Sequence, residues 1–465
     1  MQRENRLYDE LTPGDTASVQ RVCTAHDLYV FAHASGNLNP LNLPAKDGGA
    51  SPDTVAPSMW VGALISGVLG NVLPGPGTLY RAQALSFDRR VHIGDTLEVT
   101  VTVQEKRPDN VVVMETVIRR GDGETVATGA AEIIAPTEKV VMDEREIPDL
   151  LLQQHRHFDR IMAMCDGIAP LETAVVAPED AASLGGALLA AEAGIIRPVL
   201  IGAADRIAAV AAEIGADISG IPLEPADSHD AAAARAVEMV HEGRVDALMK
   251  GNLHTDALLR HVVKKRGGLR TARRLSHTFV MDVPGLDHLL LVTDAAVNIM
   301  PDLECKVDIT QNAIDLARAL GIAQPKAGIL SAVETVNPRI PSTLDAAVLS
   351  KMADRGQIKG GLVDGPLAMD NAVDVQAART KGITSLVAGH ADILVVPNLE
   401  AGNMLAKELT FIAHAESAGV ALGAKVPVIL TSRADDDESR LTSCAIAALY
   451  QHWKRTGAPA VAPES

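Results

Sequence analysis

The hydrophobic pattern of the chain changes near residue 140, and this change limits what the chain can fold into. Before that point, residues 97–104 read LEVTVTVQ, with strict alternation of apolar and polar side chains. A period of two puts the apolar set on one face, which is typical of a half-buried antiparallel strand. After that point, short apolar runs alternate with alanine-rich stretches of helical length. This second pattern predicts a mostly parallel sheet with helices on both faces.

The length of 465 residues is that of two or three domains. We predict a first domain over residues 1–140, a linker over 141–152, a second domain over 153–455 and a disordered tail over 456–465. The segment 135–150, which spans this boundary, is charged and carries Pro136 and Pro148, as domain boundaries often do. The second domain is too long for one ordinary core, so we expect two lobes with a cleft between them.

Composition excludes several classes of function. The formal net charge is −17 and aromatic residues make up only 2% of the chain, which argues against nucleic acid as a partner. The four cysteines are scattered without a C-x-x-C, so we expect neither a disulfide framework nor a metal site. The polar start does not resemble a signal peptide, and no uncharged apolar run reaches about 18 residues. We therefore expect a cytoplasmic protein without a membrane segment.

A basic stretch stands out in this acidic chain. Residues 247–282 begin with a short apolar run, turn at Gly251 and enter a helix-like segment near Thr255. A helix that starts after a glycine turn points backbone N–H groups and the positive end of its dipole at one spot, which suits phosphate. A solvated basic helix face is the alternative. The eight cationic residues are Lys250, Arg260, Lys264, Lys265, Arg266, Arg270, Arg273 and Arg274.

The first domain combines one buried helix with antiparallel strands. Residues 57–70 are apolar on nearly every side, which predicts a helix buried on all faces. Residues 111–118 and 125–134 are predicted to form two further strands joined at the turn 121–123. A central helix wrapped by an antiparallel sheet is a hotdog-like arrangement.

Three segments of this domain resemble MaoC-type (R)-specific enoyl-CoA hydratases: FAHASGNLNPLNLP, GTLYRAQALSFDRRVHIGDT and ATGAAEIIA. The resemblance implies an aspartate after Ser-Gly and a histidine after Asn-Pro-Leu, but Asn37 and Asn42 stand there. Amide side chains cannot exchange the protons that hydration requires. We therefore predict a degenerate hydratase site, with His33 as a less favoured substitute base. Hydratase activity in this domain remains an alternative function.

The second domain lacks the G-x-G-x-x-G, P-loop and G-x-S-x-G motifs, which removes the usual support for dinucleotide, P-loop and hydrolase functions. Six blocks resemble phosphate acetyl/butyryltransferases, and the first two resemble the butyryl branch more. The whole chain is similar to proteins described as bifunctional enoyl-CoA hydratase/phosphate acetyltransferases. The blocks are ALMKGNLHT, LRTARRLSHTFVMD, LLLVTDAAVNIMPDLECK, VDGPLAMDNAV, KGITSLVAGHADILVVPNLEAGNMLAKEL and VPVILTSRADDDESRLTS.

These resemblances imply an α+β hotdog domain followed by an α/β two-lobe domain with mostly parallel sheets and an interlobe cleft. They imply exchange of a short acyl group between coenzyme A and inorganic phosphate. The partners are then acyl-CoA and phosphate or acyl phosphate, with coenzyme A as a substrate and no permanently bound cofactor. We also expect a homo-oligomer, because hotdog domains usually cover their sheet with a partner. The alternative outside the enzymes is a sensor that binds acyl-CoA without catalysing a reaction.

The resemblance also assigns residues. Arg433 matches the arginine of a Ser-Arg pair and is assigned to phosphate or the carbonyl oxygen, with Ser432 bonding the thiol or oxyanion. Arg260 matches the arginine behind the phosphate loop. Six residues complete the substrate and phosphate site: Lys250, His254, Thr255, Ser276, Asn403 and Lys407.

The general base cannot be assigned by a direct match to the family. The acetyl branch has its catalytic aspartate seven residues after the Ser-Arg pair, and Ser439 stands there. The carboxylates nearby are Asp435, Asp436, Asp437 and Glu438, among which we favour Asp436. The departure at Ser439 is what keeps the sensor alternative open.

Overall fold

The computed structural model describes residues 2–44, 54–143, 156–430 and 436–461. The chain forms two compact units, residues 1–154 and 155–465. Within the described ranges, none of the helices has both the length and the apolar character needed to cross a bilayer.

The first unit is built on a five-stranded antiparallel sheet in the order β2-β4-β5-β6-β3. A two-stranded sheet pairs β1 with β7, and two helices accompany the sheets. The strands are β1 (Gln2–Glu4), β2 (Thr16–Val22), β3 (Leu79–Phe87), β4 (Thr96–Arg107), β5 (Val111–Arg120), β6 (Thr125–Ile134) and β7 (Val141–Asp143). The helices are α1 (Ala25–Ser35) and α2 (Ser58–Asn71).

The alternation in β4 has the predicted consequence. Leu97, Val99, Val101 and Val103 are all buried, while Glu98 between them is exposed. Helix α2 packs on this face through side chains that include Ile65. The predicted strands of this domain are therefore confirmed. The helix forms where predicted, but the expectation that it is buried on all faces is wrong, because Met59, Ala63 and Ser66 on its other face are exposed.

The domain boundaries need two corrections. Val141–Asp143 belongs to the predicted linker, yet it forms β7 and pairs with β1 in the first unit. The rest of the predicted linker lies largely outside the described residues. The predicted disordered tail begins at Thr456, but Thr456 ends a helix and Ala460 is buried in the core of the second unit. Apolar contacts therefore hold the chain beyond the predicted end of the domain.

The second unit alternates strands and helices along the sequence. Its strands are β8 (Leu171–Val176), β9 (Ile196–Gly202), β10 (Leu223–Pro225), β11 (Ala247–Lys250), β12 (Ser276–Asp282), β13 (Leu290–Thr293), β14 (Lys326–Leu330), β15 (Leu362–Leu367), β16 (Ile393–Val395), β17 (Glu416–Leu422) and β18 (Val428–Ile429). Its helices are α3 (Arg156–Cys165), α4 (Ala181–Glu192), α5 (Ala204–Glu213), α6 (His229–His241), α7 (Thr255–Val262), α8 (Leu303–Ala319), α9 (Pro341–Asp354), α10 (Met369–Val373), α11 (Val375–Thr380), α12 (Leu399–Phe411) and α13 (Asp437–Thr456).

These strands form one eleven-stranded sheet in the order β10-β9-β8-β11-β18-β17-β12-β13-β16-β14-β15. The first five strands are mutually parallel, and so are the last four. The two groups are joined through β17 and β12, which pair antiparallel with each other and with their outer neighbours. The prediction of a mostly parallel sheet is confirmed. The two central strands, β12 and β17, depart from this pattern because their pairings are antiparallel.

Leu97 provides a test of the first core. We expect Leu97→Ala to lower the free energy of unfolding by about 2–5 kcal/mol, because it leaves a cavity in a fully buried layer. The neighbouring Glu98→Ala is the matched control and should change it by about 0.5 kcal/mol or less. The chain has two tryptophans, Trp60 in the first core and Trp453 in the second unit. In a Trp453→Phe background, Trp60 fluorescence during urea unfolding reports the first unit alone. Equal effects of the two substitutions would contradict the assigned facing of β4.

Candidate active site

A cavity of about 660 Å³ lies over the centre of the second unit's sheet, beside β12 and β17. Its wall also includes the end of β11, the start of α7, one side of α12 and the start of α13. The lining residues are Lys250, Leu253, His254, Thr255, His277, Phe279, Ala296, Asn403, Ala406, Lys407, Thr410, Phe411, Ala415, Glu416, Ser417, Leu430, Asp436 and Ser439.

The turn after β11 carries the first group of polar residues. Gly251 packs so closely on β8 that a Cβ would lie 2.4 Å from the carbonyl oxygen of Ala177, so only glycine fits. Backbone N–H groups of Gly251 and Asn252 donate to the carbonyl oxygens of Val176 and Ala177 at 2.8 and 2.7 Å. This anchoring sets His254 as the N-cap of α7 and brings His254 and Thr255 to the cavity.

Helix α12 supplies the opposite side. Asn398 caps it by accepting the N–H of Ala401 at 3.0 Å. Asn403 donates from Nδ2 to the carbonyl oxygen of Ala295 at 3.4 Å, and Lys407 follows one turn later with an exposed side chain. Both side chains therefore lie on the face of α12 that borders the cavity.

Helix α13 begins at the cavity. Asp436 is its N-cap, and its Oδ1 accepts the N–H of Ser439 at 2.8 Å. This carboxylate therefore satisfies one of the helix's first N–H groups. Capping fixes Asp436 and Ser439 relative to each other at the edge of the cavity.

Glu416 is the other carboxylate among the described lining residues. Burial, and then the negative charges of Glu438, Asp282 and Asp436, raises its pKa to about 7. Asp282 lies opposite it in the sheet and accepts the N–H groups of His157 and Phe158 at 2.7 and 3.2 Å. The backbone of α3 thus fixes the side chain of Asp282 beside Glu416.

His277 is also part of the cavity wall and is only 2% exposed. Its Nδ1 has no hydrogen-bond partner among the described residues. Burial lowers the pKa of His277 to about 4, against the opposing influence of Asp294.

The structure brings together six of the predicted site residues, Lys250, His254, Thr255, Asn403, Lys407 and Asp436. Ser276 is fully buried and accepts a hydrogen bond from Nδ2 of Asn312 at 2.9 Å, outside the cavity wall. Arg260 is exposed on α7 and is not among the described lining residues. Ser432 and Arg433 lie outside the described residues.

The basic stretch is divided between two environments. Lys250 is buried at the cavity, whereas the other seven cations are exposed. Arg273 pairs with Asp315, and Arg274 lies 3.3 and 3.6 Å from carboxylate oxygens of Glu304 and Asp308 on α8. Most of these cations therefore lie on the solvated surface, which was the alternative to a phosphate site. Of the eight, Lys250 alone lines the described cavity.

Sequence analysis identified neither Glu416 nor His277 as a site residue, because each enters the cavity through its position on a central strand. The signal available for His277 was its place beside Ser276 in the block LRTARRLSHTFVMD. Glu416 lies between two of the recognised blocks, so no motif marks it.

A smaller cavity of about 360 Å³ lies in the first unit and includes Asn37 and Asn42 in its wall. Asn37 donates from Nδ2 to Oδ1 of Asn42 at 3.3 Å, and Asn42 donates to the carbonyl oxygen of Val55 at 2.7 Å. The two amides thus hydrogen-bond to each other where the resemblance places a carboxylate and an imidazole. Across the described ranges of the whole chain, no group of three or more His, Cys, Asp or Glu side chains is placed to hold a metal ion.

Comparison with known proteins finds sequences and structures that are similar to parts of this chain. The family described as "Phosphate acetyl/butaryl transferase" matches residues 226–448. Phosphate acetyltransferase from Rhizobium meliloti is 57% identical over 302 residues, which cover 65% of this chain and 96% of the relative. The structure of a branched-chain phosphotransacylase from Enterococcus faecalis V583 covers 61% of this chain and 99% of its own, with 30% identity and a TM-score of 0.52. R-Hydratase PhaJ1 from Pseudomonas aeruginosa covers 33% of this chain and 99% of its own, with 40% identity and a TM-score of 0.31.

The second unit is therefore that of an acyltransferase. The chain belongs to the phosphate acetyl/butyryltransferase family.

Proposed function

We propose that the cavity of the second unit catalyses exchange of a short acyl group between coenzyme A and inorganic phosphate. The observation that carries this proposal is a cavity that combines cationic groups with a carboxylate of raised pKa in a member of this family. Coenzyme A and phosphate are substrates in this proposal, and the cavity needs no bound cofactor. The cavity is bordered by α7 from one parallel group of strands and by α12 from the other, which supports the division into two lobes with a cleft.

Lys250 and Lys407, on opposite sides of the cavity, are assigned to the phosphoryl group, together with His254 and Thr255 at the start of α7. Arg433 is assigned to the same group or to the carbonyl oxygen, because a guanidinium can donate two parallel N–H hydrogen bonds to the oxygens of a phosphate. Ser432 is assigned to the reacting thiol or oxyanion. Ser276 and Arg260 are assigned to support from outside the described wall.

Glu416 is assigned as the proton acceptor for the thiol of coenzyme A, in preference to Asp436. Thiolate is the reactive form, and a general base works best when its pKa lies near the working pH. Burial beside acidic neighbours gives Glu416 that property. Asp436 instead accepts the N–H of Ser439 as a helix cap.

The transferase is tested with coenzyme A and a panel of acyl phosphates from acetyl to hexanoyl. We expect wild-type protein to form acyl-CoA, and Arg433→Ala to reduce kcat/KM by about 10²–10³-fold through loss of oxyanion stabilisation. Arg355→Ala, at an exposed arginine on the end of α9, is the matched control. Absence of turnover with every acyl phosphate would reject the transferase in favour of the sensor.

Glu416→Gln tests the assignment of the base. We expect kcat to fall by about 10²–10⁴-fold, and the rise of the wild-type rate through pH 7 to disappear. The exposed Glu408→Gln on α12 is the control and should keep both the rate and the profile.

Stability separates this effect from a folding defect. Because the folded-state pKa of Glu416 is raised from 4.5 to about 7, its contribution to stability is full below pH 4.5 and is lost as the pH rises through 7. Glu416→Gln should therefore be more stable than wild type above pH 7, with the difference vanishing near pH 4.5, as thermal unfolding can measure. A variant that keeps the wild-type rate and pH profile would exclude Glu416 as the base.

For the first unit, we infer that hydration of enoyl-CoA is weak or absent, because Asn37 and Asn42 bond to each other and neither can exchange a proton. The homo-oligomer expected from this domain is supported by the exposed apolar side chains Leu79 and Tyr80 on β3.

Crotonyl-CoA hydration by the full chain tests this inference. We expect the wild-type rate to be near background and the double variant Asn37→Asp/Asn42→His to exceed it by about 10²-fold or more, since general acid–base groups supply rate factors of about 10²–10⁴. Transferase activity of the double variant serves as the control for folding and should not change. Rapid hydration by the wild-type chain would overturn the inference.

A further inference from the structure

The imidazole of His277 is an unexplained polar group in the wall of the main cavity. It is almost completely buried, and its Nδ1 has no hydrogen-bond partner among the described residues. A buried polar atom without a partner costs about 1–3 kcal/mol, so proteins rarely keep one without a use. A substrate oxygen in the adjoining cavity would supply the missing partner.

The surrounding strands fix the ring in this place. The ring lies against Gly419 on β17, two residues before its paired residue Ala421, and a Cβ added at Gly419 would lie only 2.7 Å from Nε2 of the ring. Phe279 packs edge-on against it, with ring centroids 4.5 Å apart at an interplanar angle of 74°. The strand therefore needs glycine at position 419 for the imidazole to occupy this site, and the ring has little room to move.

The backbone of His277 is held as firmly as its ring. Its N–H donates to Oδ1 of Asp294 at 3.2 Å, and its carbonyl oxygen accepts the hydroxyl of Thr293 at 2.8 Å. Asp294 in turn accepts the backbone N–H groups of Ala296, Val297 and Asn298, at 3.1, 3.1 and 3.0 Å. This network orients the imidazole in advance of substrate binding, which is what efficient stabilisation of a developing charge requires.

Burial favours the neutral form of His277, against the opposing charge of Asp294. Asp294 is the carboxylate beside it, while Lys250, Lys407 and Glu416 share the cavity. Desolvation outweighs the attraction of Asp294, so the pKa of the imidazole falls to about 4. A neutral imidazole carries one N–H and is a poor base near pH 7, but it can polarise a carbonyl group as a hydrogen-bond donor.

We propose that His277, as a neutral imidazole, donates a ring N–H hydrogen bond to the acyl carbonyl oxygen during transfer. This assignment rests on the proposed function. The thiolate sulfur attacks the carbonyl carbon, and the carbonyl π electrons move to oxygen, where the N–H stabilises the negative charge. The carbonyl then re-forms as the carbon–oxygen bond to phosphate breaks, and phosphate leaves with that electron pair. His277 neither gains nor loses a proton in this sequence.

Three variants test the proposal in the full chain. His277→Ala removes the donor and should lower kcat/KM for acyl-CoA formation by about 10²–10³-fold, while His277→Gln keeps an N–H and should recover part of the loss. Gly419→Ala leaves the histidine in place but forces its ring to shift, and it should give a loss similar to that of His277→Ala. Gly185→Ala on α4, where an added Cβ meets nothing within 4 Å, is the matched control and should behave as wild type.

Two further readouts test the neutral form of the ring and its contact with substrate. The ratio of the wild-type rate to the His277→Gln rate should stay constant from pH 6 to pH 8, whereas an imidazole that gained a proton within this range would make the ratio change with pH. With ¹⁵N-labelled histidine, the NMR signal of the His277 ring is assigned by its absence from the spectrum of His277→Gln. In the wild-type spectrum, that signal should shift when acyl-CoA is added. Active wild-type protein with His277 and Gly419 variants within twofold of it would overturn this proposal alone. An inactive wild type would instead reject the proposed function.

Discussion

The antiparallel pairing of β12 with β17 is the interaction on which the second unit depends. Seven residue pairs from Ser276↔Leu422 to Asp282↔Glu416 join two groups of parallel strands into one sheet. Parallel strands are normally covered by helices on both faces. At this seam the helices that follow β11 and β16 lie on either side instead, and a cavity remains over the two central strands. Glu416, His277 and Gly419 all lie on these two strands. The pairing that joins the two halves of the sheet therefore also forms part of the cavity wall.

Burial shifts the pKa values of two titratable side chains in that cavity wall. Glu416 and His277 lie in the same wall, and burial moves their pKa values in opposite directions, upward for the acid and downward for the base. Both shifts favour the neutral form, because the cavity wall solvates charge poorly. In the proposed function one group can then accept a proton near pH 7, and the other can donate a hydrogen bond without being charged. The exposed cations of the basic stretch do not share this environment.

In the first unit, the residues that hold the fold together are separate from those of the expected hydratase site. Buried side chains on alternating positions of β4 hold the sheet against α2, and none of them takes part in proton transfer. Asn37 donates a hydrogen bond to Asn42 in the smaller cavity, and Asn42 donates to the carbonyl oxygen of Val55. Stability therefore depends on the apolar pattern, whereas hydration depends on two side chains that can change without disturbing it.

The sequence by itself determined the two-part organisation, the burial of Leu97 and its alternating neighbours, most of the strands of the parallel groups, and the family. These follow from hydrophobic period and from local motifs, which are properties of neighbouring residues. It also indicated Lys250, Asn403 and Lys407, because each lies in a block that resembles the family. Only the tertiary structure decided that β12 and β17 lie side by side at the centre of the sheet. Their pairing joins residues about 140 positions apart in the chain. The burial that shifts Glu416 and His277, and the close approach that requires Gly419, arise from that long-range packing, which no local pattern encodes.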